Sequence, residues 1–152
     1  DAGNLLFMGR TGLGKTYLSA CIAMEVAARG YEVRYYPAQA LIDRFERVRF
    51  NREAGADDLT AMREILSCDL LILDDLGAEF ATAYSQSVLY QVINDRMTEG
   101  RATIISTNLD LPALSKAYNE RILSRLIGYT MLGFVGRDIR QQKLARRREG
   151  NA

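Results

Sequence analysis

Apolar positions along this chain switch repeatedly between the spacing of a strand and that of a helix. Asn4-Leu5-Leu6-Phe7-Met8 is a short, nearly continuous apolar run, as expected of a buried strand. Tyr17 to Arg29 predicts a helix, and Gly30 stands where a C-cap glycine belongs. Glu32-Val33-Arg34-Tyr35-Tyr36 is β-rich and alternating, which predicts a second strand ended by Pro37. Leu41, Ile42, Phe45 and Val48 then recur at helical spacing, with Asp43, Arg44, Glu46 and Arg47 on the other face. The polar stretch 51–58 contains Gly55 and predicts a loop. Asp57 or Asp58 is placed to cap a short helix carrying Leu59, Met62, Ile65 and Leu66.

Asp69-Leu70-Leu71-Ile72-Leu73 is a continuous apolar strand, of the kind buried on both faces of a parallel sheet, and it ends in Asp74-Asp75. Tyr84, Val88, Val92, Ile93 and Met97 mark a long helix closed by Gly100. A fourth strand runs from Ala102 to Thr107, a two-piece helical stretch from Leu111 to Ile127, and a last strand from Tyr129 to Val135. No internal repeat or low-complexity linker interrupts the order. Strands and helices that alternate in this way predict a parallel α/β sheet covered on both sides.

The bulk numbers narrow the picture. A chain of 152 residues with 48% apolar and 26% charged residues suits one globular domain with a sizeable core. No apolar run reaches the length of a membrane span and no signal peptide opens the chain, so a cytoplasmic protein with no membrane partner is expected. Asp1 lies directly before the first strand, and the chain is expected to be a fragment that lacks an N-terminal region. The net charge of +1 exerts no overall pull on nucleic acid. The charge is uneven, however: Arg137, Arg140, Lys143, Arg146, Arg147 and Arg148 are opposed within their stretch by Asp138 alone. Cys21 and Cys68 both sit in apolar stretches and are expected to be buried thiols in a reducing compartment. The absence of histidine excludes Ser-His and Cys-His catalysis within the chain and argues against a zinc site.

The strongest chemical signal is Gly9-Arg10-Thr11-Gly12-Leu13-Gly14-Lys15-Thr16, which fits the G-x-x-x-x-G-K-[ST] phosphate loop. Its glycines let consecutive backbone N–H groups curl around an anion. Lys15 supplies a point charge to the β- and γ-phosphates, and the Thr16 hydroxyl is placed to ligate Mg²⁺. A strand precedes the loop and a helix beginning near Tyr17 comes after it, the order such a loop requires. Asp74, at the carboxyl end of a buried strand, completes the metal site. Asp75 stands where a water-polarising carboxylate is expected, one methylene shorter than glutamate, with Glu79 a second candidate four positions on.

One strand-and-helix unit separates the loop from Asp74. This excludes the kinase-like arrangement, in which those two strands are adjacent, and favours the branch containing AAA+ and RecA-like ATPases. Asn108, at the tip of the fourth strand, is placed either to orient the water attacking the γ-phosphate or to cap the next turn. Arg121 and Arg125 share one helix face, away from Ile122, Leu126 and Ile127. They are either solvated surface or a pair reaching a neighbour's γ-phosphate. Arg140 is a candidate for sensing the γ-phosphate within its own subunit.

Taken together, these segments resemble the AAA+ helicase loaders of the DnaC/DnaI type and their IstB relatives. The matching runs are 4–9, 11–16 and 71–79, then Thr107-Asn108-Leu109, Glu120-Arg121-Ile122-Leu123-Ser124-Arg125-Leu126 and Gly136-Arg137-Asp138-Ile139-Arg140. The most specific are Asp74-Asp75-Leu76-Gly77-Ala78-Glu79 and the helix holding Arg121 and Arg125. The resemblance implies one ATPase domain over 1–152, a five-stranded sheet in the order 5-1-4-3-2, and no separate helical lid. It implies ATP or ADP with Mg²⁺ as cofactors, Arg125 as a trans arginine finger beside Arg121, Arg140 as sensor 2, and assembly into a ring or spiral. The implied role is to deliver the replicative hexameric DNA helicase, held through the missing N-terminal region, onto single-stranded DNA. Two alternatives stay open: a transposition helper on duplex DNA, and a nucleotide-gated interaction module with little hydrolysis.

Overall fold

The computed structural model describes residues 3–50, 55–79, 81–139 and 141–142. Five strands, β1 (Leu5–Met8), β2 (Val33–Pro37), β3 (Leu70–Leu76), β4 (Ala102–Thr107) and β5 (Thr130–Gly133), form one sheet in the order β2-β3-β4-β1-β5, every pair parallel. This is the expected order. The intervening helices are α1 (Lys15–Ala28), α2 (Ala38–Phe50), α3 (Ala56–Ser67), α4 (Ala83–Thr98), α5 (Leu111–Ala117) and α6 (Glu120–Ile127).

The sheet buries both faces, which is why its central strands read as unbroken apolar runs. On one face Leu6, Leu71, Leu73 and Ile105 pack with Leu41, Phe45, Ile65, Leu89, Ile93, Leu114 and Ile122, so helices α2 to α6 all contribute. On the other, Phe7, Leu70, Ile72 and Ile104 meet Ile22, Ala23 and Val26 of α1. The core is therefore lopsided, with α1 the helix on the thin side among the described residues.

Several local expectations are corrected. α3 is capped by Gly55 in extended conformation with no side-chain bond, and Asp57 and Asp58 lie in its first turn instead of at the cap. There they meet the positive end of the helix dipole without closing a cap. Cys68 is buried as expected, but Cys21 is exposed. It faces away from the sheet, on a helix whose Ile22, Ala23 and Val26 make the contact. Ile127, expected on the apolar face of α6, is 58% exposed because the helix ends there. The tail from 143 onward and Arg140 lie outside the described residues.

One buried cation was not anticipated. Arg96 of α4 is 0% exposed, and its guanidinium donates to the carbonyls of Ile65, Leu66, Cys68 and Ala102 and to Thr103 Oγ1. It clasps the end of α3 to the start of β4, donating to helix-end carbonyls that lack an intrahelical partner. Replacing it by methionine should lower stability by about 3 kcal/mol, since several acceptors are left unsatisfied together. Urea unfolding monitored by circular dichroism measures this, and a loss under about 1 kcal/mol would show that water replaces the guanidinium.

Candidate functional site

The sheet changes winding direction between β1 and β4, since β1 leads off toward β2 while β4 returns to β5. Ligand clefts of open α/β sheets form at such a point, beyond the carboxyl ends of the strands. The loop after β1, the end of β3 and the end of β4 meet here around a cleft of about 740 Å³. Thr11, Gly12, Leu13, Gly14, Lys15, Thr16, Tyr17, Asp74, Asp75 and Asn108 line it, joined by Ser106 and Ile139. Segments far apart in the chain are thus assembled as their motifs suggested.

The glycines of the loop have distinct tasks. Gly9 is at φ 148°, and a Cβ there would lie 2.3 Å from the Phe134 carbonyl, so only glycine lets the loop pass β5. Gly14 is left-handed and precedes α1 with no side-chain cap bond. The first N–H groups of α1 therefore stay open toward the cleft, the arrangement that binds anions.

Lys15 is 7% exposed, and its ammonium donates to Gly9 O at 2.5 Å, Arg10 O at 2.9 Å and Asn108 Oδ1 at 2.8 Å. All three acceptors are neutral. Burial holds the ammonium below the usual lysine range, opposed by the more distant charges of Asp75 and Asp74. The ammonium thus has no carboxylate among its hydrogen-bond acceptors.

Asp74 and Asp75 are adjacent in sequence but are placed by different means. β3 does not stop at the pair; it continues to Leu76, with a register shift between the Leu73–Ile105 and Leu76–Thr107 pairings. The bulge puts Asp75 at φ 60°, a left-handed conformation that aspartate tolerates better than bulkier residues. The Asp75 N–H donates to Ser106 Oγ at 3.0 Å, and its exposed carboxylate accepts from Asn108 Nδ2 at 2.7 Å. Asn108 therefore bridges Lys15 and Asp75 instead of capping the next helix. That cap is made by Asp110, whose side chain accepts from the Ala113 N–H.

Asp74 is 8% exposed and accepts from Thr16 Oγ1 at 3.0 Å, from the Tyr35 hydroxyl and from Ser106 Oγ. Burial, then the Asp74 hydrogen bond, push the Tyr35 hydroxyl up, so it stays protonated and donates. Neither Tyr35 nor Ser106 was expected here from the sequence. Ser106 could have been found from strand alternation, being two residues before Asn108, whereas Tyr35 requires the β2–β3 register.

The remaining candidates lie elsewhere. The Glu79 carboxylate is 9% exposed and turned away from the cleft, accepting from the Gly77 N–H at 2.7 Å and from the Tyr118 hydroxyl. Arg121 is exposed on α6. Arg125 is held against α4: its guanidinium donates to Asn94 Oδ1 at 3.0 and 3.2 Å and lies 5.4 Å from the centre of the Tyr90 ring. Neither arginine lines the cleft of its own chain. The segment after β5 does approach the phosphate loop, with the Ile139 N–H donating to Gly12 O at 2.9 Å.

Comparison with known proteins agrees with this geometry. The family model described as IstB-like ATP binding protein matches residues 1–131. The replicative helicase loader DnaC of Escherichia coli K12 is 25% identical over 130 residues, which cover 83% of this chain and 51% of DnaC. The chain thus spans about half the length of the curated relatives it matches. The crystal structure of the DnaC helicase loader superposes with a TM-score of 0.77 at 23% identity, covering 88% of this chain and 78% of that one. That of DnaI gives 0.69 at 26% identity, covering 90% and 72%.

Proposed function

Because the chain belongs to the IstB-like ATP binding protein family, we propose that it is the ATPase domain of a loader that places the replicative helicase on single-stranded DNA. The observation that carries the ATPase part of this reading is the bridge from Lys15 through Asn108 to Asp75, and the similarity to the helicase loader DnaC carries the rest. It joins the group that would hold the γ-phosphate to the group that would face the attacking water. The site then responds to whether a third phosphate is present.

The Thr16 hydroxyl and Asp74 carboxylate are hard oxygen donors, which suit Mg²⁺. Held by Thr16 and Asp74, such an ion would supply charge neutralisation for the phosphates. The loop N–H groups and Lys15 bind and orient the phosphate chain. Asn108 and Asp75 orient and polarise the water, and Tyr17 borders the cleft at the start of α1. Arg125, supported by Arg121, serves the site of the next copy in a ring or spiral. Arg140 is proposed as sensor 2 from its motif alone. Glu79 is better suited to anchoring the turn after β3 than to activating water.

An edge-on aromatic pair with a cation, on α2 and α4, suits single-stranded DNA. Phe50 is 69% exposed and meets Tyr84 edge-on at 5.4 Å, while the Arg49 guanidinium lies 5.3 and 4.9 Å from the two ring centres. Exposed aromatic faces beside a cation are what sequence-tolerant binding of single strands uses. Arg44 and Arg47 share Asp58 at 3.7 and 3.8 Å, so Arg49 is the cation that lies against the two rings. Phe50→Ala should weaken binding of a labelled single strand about tenfold, the loss of roughly one stacked base. Fluorescence anisotropy across a salt series measures it, and an unchanged affinity would rule this surface out as the strand's binding site.

The decisive test is co-purification of the full-length protein with the replicative helicase, with and without ATP. Capture of the helicase and a preference for single strands support the loader. Clear duplex preference together with capture of a transposase would make the protein a transposition helper instead.

A further inference from the structure

We propose that Tyr35 is a positioning residue for the Asp74 carboxylate and so sets how readily the cleft takes up a divalent cation. The inference deepens the reading of the cleft as a Mg²⁺–nucleotide site and rests on it. Tyr35 lies on the edge strand β2, where the register pairs it with Ile72 and pairs Pro37 with Asp74. Side chains two residues apart on a strand share a face, so Tyr35 and Asp74 stand on the same side, two residue pairs apart on neighbouring strands. The phenol is long enough to cover that offset, and its hydroxyl reaches Asp74 Oδ2 at 2.5 Å.

Ser106 Oγ donates to the other carboxylate oxygen, Oδ1. The two oxygens thus have donors from different strands, which fixes the carboxylate plane beside the Thr16 hydroxyl. Packing does not explain the choice of tyrosine. Its side chain is 45% exposed at the sheet edge, and phenylalanine would cover the same surface without the hydroxyl. The added oxygen spends its proton on the carboxylate. Groups that orient a metal-binding side chain from behind typically change metal affinity by about 10- to 100-fold when lost.

The test compares wild type with Tyr35→Phe, titrating each with a non-hydrolysable ATP analogue by calorimetry, in EDTA and over a Mg²⁺ series. The Mg²⁺ concentration giving half of the metal-dependent gain in affinity should rise about tenfold in the variant. Affinity in EDTA is the reference that a general loss of structure would move. An unchanged or lower Mg²⁺ requirement overturns the assignment, the latter because the hydroxyl would then compete with the ion. If wild type binds the analogue without any Mg²⁺ dependence, the reading of the cleft itself fails, and the role of Tyr35 falls with it.

Discussion

Lys15→Ala should leave a folded protein whose affinity for ATP is lower by about a thousandfold, the loss of two charge-assisted hydrogen bonds to phosphate. The magnitude reflects the surroundings of the ammonium. It is almost fully buried, and its hydrogen bonds go to two loop carbonyls and an amide. Water cannot replace it easily in that position. The fold should survive, because the backbone at Gly14 starts α1 and the apolar core lies below the loop. Calorimetric titration with ATP, with thermal melting as a control, gives the result. An affinity within a few-fold of wild type would mean that the nucleotide binds elsewhere.

Arg125→Ala should bind ATP normally and lose about 10³-fold or more of its turnover at protein concentrations where wild type assembles, the effect of removing an arginine finger. The geometry separates binding from turnover: Arg125 lies on α6 against Asn94 and Tyr90, outside the cleft of its own chain. Both of those contacts are neutral groups, as the proposed role toward an anion on another copy requires. Mixing Arg125→Ala with Lys15→Ala sharpens the test. One variant retains intact phosphate loops and the other intact fingers, so mixed assemblies should recover turnover that neither shows alone. Normal hydrolysis by Arg125→Ala at high protein concentration would refute the trans role.

Much of this site is legible in short stretches of the sequence. The glycine spacing of the loop, the apolar run before Asp74 and the β-branched strand before Asn108 each depend on a few consecutive residues. The order of strands and helices then brought the three segments to one end of the sheet. What failed to read were facts about partners. The bulge at Asp75 requires β4 alongside β3, and the turning of Glu79 requires Tyr118, 39 residues away. Cys21 sits in an apolar stretch, yet its exposure depends on which side of α1 meets the sheet. Arg96 shows no local sign of burial, because its acceptor oxygens come from the end of α3 and from β4.

By itself, then, the sequence determined the elements, their alternation and the residue types able to hold a phosphate chain and a hard cation. Those properties rest on periodicity and on backbone preferences, which act within one turn or a few strand residues. Tertiary structure decided which carboxylate faces the cleft with Asn108, which is clamped between three hydroxyls and which is spent on a tyrosine. Hydrogen bonds between side chains 32 to 39 positions apart make most of those assignments. Such bonds depend on strand register, and a register exists only once the strands have paired.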